Sequence, residues 1–262
     1  MSYIMESAHE TSRLEVQERS DDAVPRLMSA GLLEGSHVLD AGCGPGVISR
    51  IIADLVGPKG SVLGIDDSTE RVAAARKGSP SESRLRFEVA DINHTLLDGN
   101  QFDFAWSQFV FEYLARPELA LAELVRVTRP GGKVVVSDID GLGYQNFPFS
   151  LELESGVRTL EKVLATTGFD LYVGRKLFSL FRSAGLRDIK VRMWPFYCFA
   201  GTADDRFILD WETRFRTLEP HAAPMFGGLN SYQDFCRDYL AMLRSPDTLK
   251  YAIVLCVEGT KG

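Results

Sequence analysis

The chain is predicted to fold as a doubly wound α/β domain, a mostly parallel sheet with helices on both faces. Three observations carry this. Apolar runs that read as strands alternate with helix-patterned runs from His37 to Asp138, the rhythm of a parallel sheet built from crossover units. The first apolar run ends at Asp40 in a glycine-rich turn, Gly42-Cys43-Gly44-Pro45-Gly46, that opens a helix. Asp40, Asp66, Asp91, Ser107 and Asp138 all fall at the carboxyl ends of the strands so read, where open α/β sheets bind ligands.

The elements follow in order. Residues 1–34 read as a helical lead-in that covers the domain as a lid, with Pro25 at a helix start. His37 to Asp40 begins the first strand and Val47 to Val56 its helix. Gly57 to Gly60 turns into the second strand, Ser61 to Asp66. Asp66 lies twenty residues after Gly46, a spacing that lets a carboxylate accept ribose hydroxyls. Asp67-Ser68 reads as the cap of a helix from Thr69 to Lys77. Leu85 to Val89 and Phe102 to Ser107 are the third and fourth strands, Pro117 opens a helix to Val127, and Lys133 to Asp138 is the fifth strand.

Beyond Asp138 the rhythm breaks. Residues 141–176 read as a flexible link and a helix over Leu151 to Ala165, followed by a helix from Leu177 closed by Gly185. Leu186 to Val191, extending toward Trp194, is the sixth strand and Tyr251 to Glu258 the last. Residues 195–249 are rich in aromatic side chains and read as two helices, 203–218 and 231–243, separated by a Pro220 to Gly228 loop. With residues 141–176 they form cap insertions in a domain spanning 35–262. Such a roof suits an apolar or aromatic small molecule, because binding pockets are mostly apolar.

Composition narrows the partners. The 262 residues, 45% of them hydrophobic, suffice for one large domain with a sizeable core. A net charge of −7 and a pI of about 5.2 argue against a nucleic-acid surface. The four cysteines form no CxxC pair and no two of the four histidines share an HxxxH spacing, so no metal site or disulfide framework is expected and a reducing, cytoplasmic setting is. The N-terminus, with Glu6, Glu10 and Arg13, is unlike a signal peptide, and no apolar run approaches a membrane span.

The glycine loop departs from the dinucleotide fingerprint: Val47 stands where its third glycine belongs, and Asp40 precedes the loop. Asp40-x-Gly42-x-Gly44-x-Gly46 instead resembles the first motif of the class I S-adenosylmethionine (SAM) dependent methyltransferases, in particular the small-molecule type 11/25 group. Arg129-Pro130-Gly131-Gly132 before a strand is a second resemblance. Together they cover about residues 36–191 and the final strand. They imply a Rossmann-like seven-stranded sheet of order 3-2-1-4-5-7-6, the last strand inserted antiparallel, and SAM as cofactor. By the same resemblance Ala41, Gly42, Gly44 and Gly46 pack beside the cofactor and Asp40 helps hold its ammonium end. Asp66, with Asp67 beside it, meets the ribose. Ala90, Asp91 and Ile92 meet the adenine, and Ser107, Gln108 and Phe109 line the path past the methyl group. Tyr3, Arg13 and Gln17 fold over the methionine end.

Methyl transfer is an in-line displacement at a sulfonium carbon, so the protein mainly aligns nucleophile and methyl group. A base is needed only where the acceptor loses a proton; the candidates are His221, Tyr144, Glu112 and Tyr197. The expectation is methylation of an O, N or C atom of an apolar or aromatic small molecule, a secondary metabolite or quinone-like compound, by a monomer or homodimer. One alternative is a non-methylating reaction on the same fold, such as cyclisation. Another is a nicotinamide-dependent oxidoreductase, disfavoured by Val47 and by the lack of a tyrosine-lysine pair.

Overall fold

The computed structural model describes residues 20–79 and 84–262. Five parallel strands run in the order β3-β2-β1-β4-β5: β1 His37–Ala41, β2 Ser61–Asp66, β3 Leu85–Val89, β4 Phe102–Gln108 and β5 Thr128–Ile139. The last strand, β8 (Leu249–Thr260), joins β5 antiparallel and carries β7 (Arg187–Ala200) on its other side. These two are the sixth and seventh strands of the expected order. An eighth strand was not expected: β6, only Asn146–Phe147, pairs with Lys250 and Leu249 at the start of β8.

The central strands are buried on both faces, β1 everywhere except His37, as helices on either side of a parallel sheet require. Helices α4 (Pro117–Val127) and α6 (Val173–Ser183) cover one face through Leu121, Leu124, Leu177 and Phe181. The other face is covered by α1 (Ser20–Ser29), α2 (Val47–Val56) and α3 (Thr69–Lys77) through Leu27, Ile52, Val56, Val72 and Ala75. Pro25 lies inside α1, not at its start. The described part of the N-terminal segment therefore packs on the flank of the sheet. Lys133 fixes it there by donating to Ala30 O (3.1 Å) and to Glu258 (3.2 Å), which Arg192 also meets (2.6 Å).

A third apolar cluster lies apart from the sheet, among α5 (Leu151–Thr166), α7 (Asp205–Ala222) and α8 (Leu229–Arg244). Trp211, Phe215, Phe235 and Tyr239 pack ring on ring within it, with centroids 4.8 to 5.8 Å apart. Gly156 permits this: a Cβ there would stand 2.2 Å from the Phe235 ring. The α7 helix runs through Pro220 to Ala222 and passes into a 3-10 turn, Ala223–Phe226, where a loop was expected. Pro220 removes one N–H near the helix end, and buried Leu218 and Ala222 hold the turn on either side of it. The β7 strand continues past Trp194 to Ala200, with a register shift between Pro195 and Tyr197. Residues 195–200 are thus strand, and the helical part of this insertion begins at Asp205. Among the described residues no helix is long and apolar enough to cross a membrane.

Candidate active site

The glycine loop leaves β1 with its backbone bare. Gly42, Gly44 and Gly46 have φ of 79°, 52° and 79°, values that suit glycine. The N–H groups of Gly42 and Cys43 donate to Ile65 O at 2.8 and 2.9 Å, which ties the loop to β2. A Cβ at Gly42 would stand 2.2 Å from Val110, and one at Gly46 would stand 2.7 Å from Phe87. The loop is therefore seated against the segment after β4 on one side and against β3 on the other.

Two acids flank it. Asp40, 2% exposed, accepts the Ser49 hydroxyl at 2.5 Å. Burial, with a lesser push from nearby Asp66 and against the Ser49 hydrogen bond, raises its pKa to about 7. Asp66, 8% exposed, accepts from Gly44 N (2.9 Å), Ser68 N (3.0 Å) and Arg71 Nε (2.9 Å). Ser68 caps α3 by accepting from Arg71 N, and Asp67 is exposed with its carboxylate on Arg71. A bare backbone between two acids fits a cationic, hydroxyl-bearing cofactor such as SAM. Asp40 would hold the ammonium, and Asp66 the ribose once it shares its oxygens with the Gly44 amide.

The other expected contacts divide. Ala90 is half-buried, Ile92 buried and Asp91 exposed at the end of β3, where Asp91 accepts the Asn93 amide and side chain at 2.8 Å. Ser107 is fully buried and spends its hydroxyl on Ala41 O at 2.9 Å, so its side chain joins β4 to β1. Gln108 is half-buried. Phe109 has φ of 55°, rare for a large side chain, and its ring meets Phe196 at 5.3 Å. Tyr3, Arg13 and Gln17 lie outside the described residues.

Asp138 is fully buried, accepts from Ile139 N (2.8 Å) and Glu112 N (3.2 Å), and is raised in pKa by burial. It holds the 3-10 turn Phe111–Tyr113 beside the loop. Glu112, 5% exposed, has its carbonyl on Asp170 N at 2.7 Å.

Three of the proposed bases stand in surroundings that disfavour that role. Burial, and then its hydrogen bond to Glu161 Oε2 (2.5 Å), push the Tyr144 phenol upward, and burial does the same to Tyr197. Both hold their protons near neutral pH. His221 is exposed in the last turn of α7, outside the cavity described next.

That cavity lies within the cap between the 3-10 turn Phe111–Tyr113, α5, α7 and α8. Leu142, Val157, Leu160, Leu164, Trp211 and Leu218 make it apolar, and Tyr113, Glu161, Arg214 and Tyr239 add polar groups. The sequence reading missed Glu161 and Arg214; Tyr239 lies in the aromatic-rich stretch 195–249 that it assigned to the cap. Helical spacing carried the signal: Val157, Leu160, Glu161 and Leu164 share one face of α5, and Trp211, Arg214 and Leu218 one face of α7. Among the described residues no three metal-ligating side chains gather.

The stretch that holds this corner matches a known family. Residues 39–136 match the family described as a methyltransferase domain. A malonyl-[acyl-carrier protein] O-methyltransferase from Enterobacter lignolyticus is 36% identical over 47% of this chain and 46% of its own. The chain spans less than half the length of the first curated relatives it matches. A putative methyltransferase from Bacillus halodurans superposes with a TM-score of 0.63 at 15% identity, covering 92% of this chain and 99% of its own. A Haemonchus contortus phosphoethanolamine N-methyltransferase in complex with S-adenosyl-L-methionine gives 0.59 at 20% identity, covering 92% and 52%.

Proposed function

From the premise that this chain carries a class I SAM-dependent methyltransferase domain, we propose that it transfers a methyl group to an O, N or C atom of an apolar or aromatic small molecule held in the cap cavity. The acceptor is the kind of compound secondary metabolism supplies. The observation that carries this reading is the position of Tyr113. It lines the cavity and belongs to the 3-10 turn that Asp138 fixes beside the glycine loop. Cavity and cofactor corner therefore share one short segment. SAM, when bound, supplies the activated methyl group. The chain's own work is alignment and exclusion of water: α5, α7 and α8 roof the acceptor, and the apolar lining keeps bulk solvent from the sulfonium.

The test is calorimetric titration with S-adenosylhomocysteine, with NAD titrated in parallel, followed by a mass screen of apolar acceptors for the added methyl group. S-Adenosylhomocysteine is expected to bind and NAD to give no heat. Asp66→Ala is expected to weaken binding at least about tenfold, since it removes a charge-assisted acceptor at the ribose position. NAD binding alone, or an Asp66→Ala protein with undiminished affinity, would refute the assignment.

A further inference from the structure

The wall of the cap cavity on α8 holds a hydroxyl whose proton the protein leaves without an acceptor. Tyr239 lines the cavity and is 1% exposed, and its O–H donates to no protein atom. The Asn146 side chain meets the Tyr239 oxygen as a donor, Asn146 Nδ2 also donates to Gly143 O at 2.8 Å, and Asn146 Oδ1 takes no hydrogen bond. Buried Tyr197 lies nearby, outside the cavity lining, with the Gly143 backbone on its hydroxyl, and the Arg214 charge acts on both phenols. Gly143 passes across this spot with φ of 88°; a Cβ there would stand 3.2 Å from the Tyr239 hydroxyl. The loop is thus bare where the hydroxyl needs room.

Unpartnered buried donors destabilise a folded chain, so one kept in a native fold calls for an explanation. The chemistry of this donor limits the ligand that would complete it. The Tyr239 O–H asks for an acceptor. Arg214 is already matched by Asp210 at 2.7 Å, so the spot offers no spare positive charge. Glu161 lines the same cavity and disfavours a carboxylate or phosphate. The rest of the lining is apolar.

We propose that the Tyr239 hydroxyl reads a neutral carbonyl oxygen on an otherwise apolar ring compound seated in the cap cavity. This rests on the cavity being the acceptor site. It assigns Tyr239 to specificity: it orients the acceptor by its carbonyl and takes no part in moving a proton.

The experiment compares 2-acetylnaphthalene with 2-isopropenylnaphthalene, a pair of nearly equal shape that differ in the oxygen. Binding is followed by quenching of tryptophan fluorescence, since Trp211 lines the cavity. Wild type is expected to favour the ketone about tenfold, the upper range for one neutral hydrogen bond. Tyr239→Phe is expected to reduce that preference to about threefold or less with alkene affinity unchanged. Thermal unfolding supplies the second readout. An unmatched hydroxyl kept for a ligand predicts that apo Tyr239→Phe melts at or above the wild-type temperature. A hydroxyl satisfied by a trapped water predicts a lower melting temperature and an unchanged ketone preference. That pair of results overturns the proposal, as does a wild type that binds the two probes equally or the ketone not at all. Titration of the same proteins with S-adenosylhomocysteine separates the two readings. Its failure in wild type refutes the methyl-transfer assignment, whereas the ketone preference is measured without cofactor.

Discussion

Asp40 supplies the sharpest test of the cofactor corner, because its proton and the cofactor's ammonium compete for the same carboxylate. Burial raises its pKa to about 7 in the apo chain. At pH 6 roughly one molecule in ten then carries the ionised form, and at pH 8 roughly nine in ten. If the ammonium requires the ionised form, S-adenosylhomocysteine binds about tenfold tighter at pH 8 than at pH 6, a difference of about 1.4 kcal/mol. Binding at pH 6 releases close to one proton, which calorimetry measures directly when the titration is repeated in buffers of different ionisation enthalpy. Asp40→Asn removes the titrating group and leaves the Ser49 hydroxyl an amide oxygen to donate to. Its affinity is therefore expected to stay near the wild-type low-pH value across the range. The reasoning is refuted by a flat wild-type profile, or by an Asp40→Asn protein that keeps the wild-type slope.

Two further outcomes follow from the same geometry. Asp138 is raised by burial, so its contribution to stability is fully present below the unfolded carboxylate pKa of about 3.9 and is lost as pH rises through its folded value. Asp138→Asn gives up one of two acceptor oxygens but never carries charge, so its melting-temperature deficit against wild type is expected to be larger at pH 5 than at pH 8. Gly42→Ala places a methyl 2.2 Å from Val110 at a φ of 79°, a clash added to roughly 1–2 kcal/mol of backbone strain. Melting curves are expected to show a drop that Val110→Ala, combined with it, relieves in part.

The two halves of the chain were unequally legible. Strands one, two, four and five were readable because each holds a short buried run closed by a polar residue, the third because Leu85 to Val89 alternates, and the first crossover because Gly42, Gly44 and Gly46 punctuate it. The ends of the later elements were hidden by prolines. Pro195 sits in β7, which has β8 on one side and no strand on the other, and a missing N–H is tolerated on such an edge. Pro220 falls in the last turn of α7, where little of the hydrogen-bond ladder remains to be lost. The cap cavity was illegible for another reason. Glu161, Arg214 and Tyr239 come from three helices, and no local spacing says that α5, α7 and α8 bring one face of each to the same space. Their helical stripes announced a core but not the gap within it.

The acids at the strand ends looked alike in sequence, and the structure separates their work. Asp40 and Asp66 face the glycine loop, one dry and readily protonated, the other fixed by three N–H donors. Asp138 instead anchors the backbone. It accepts from Glu112 N, Glu112 O accepts from Asp170 N, and Asp170 takes Lys176 at 2.5 Å and Tyr172 N at 3.1 Å. This chain runs from the end of β5 through the segment after β4 to the start of α6. Along it stand Tyr113, which lines the cavity, and Phe169, whose ring meets Tyr113 at 4.9 Å. Loss of the Asp138 carboxyl therefore moves the cavity wall and the loop's neighbour Val110 together. A defect there should disturb cofactor and acceptor binding at once, whereas Asp66→Ala should disturb the cofactor and Tyr239→Phe the acceptor.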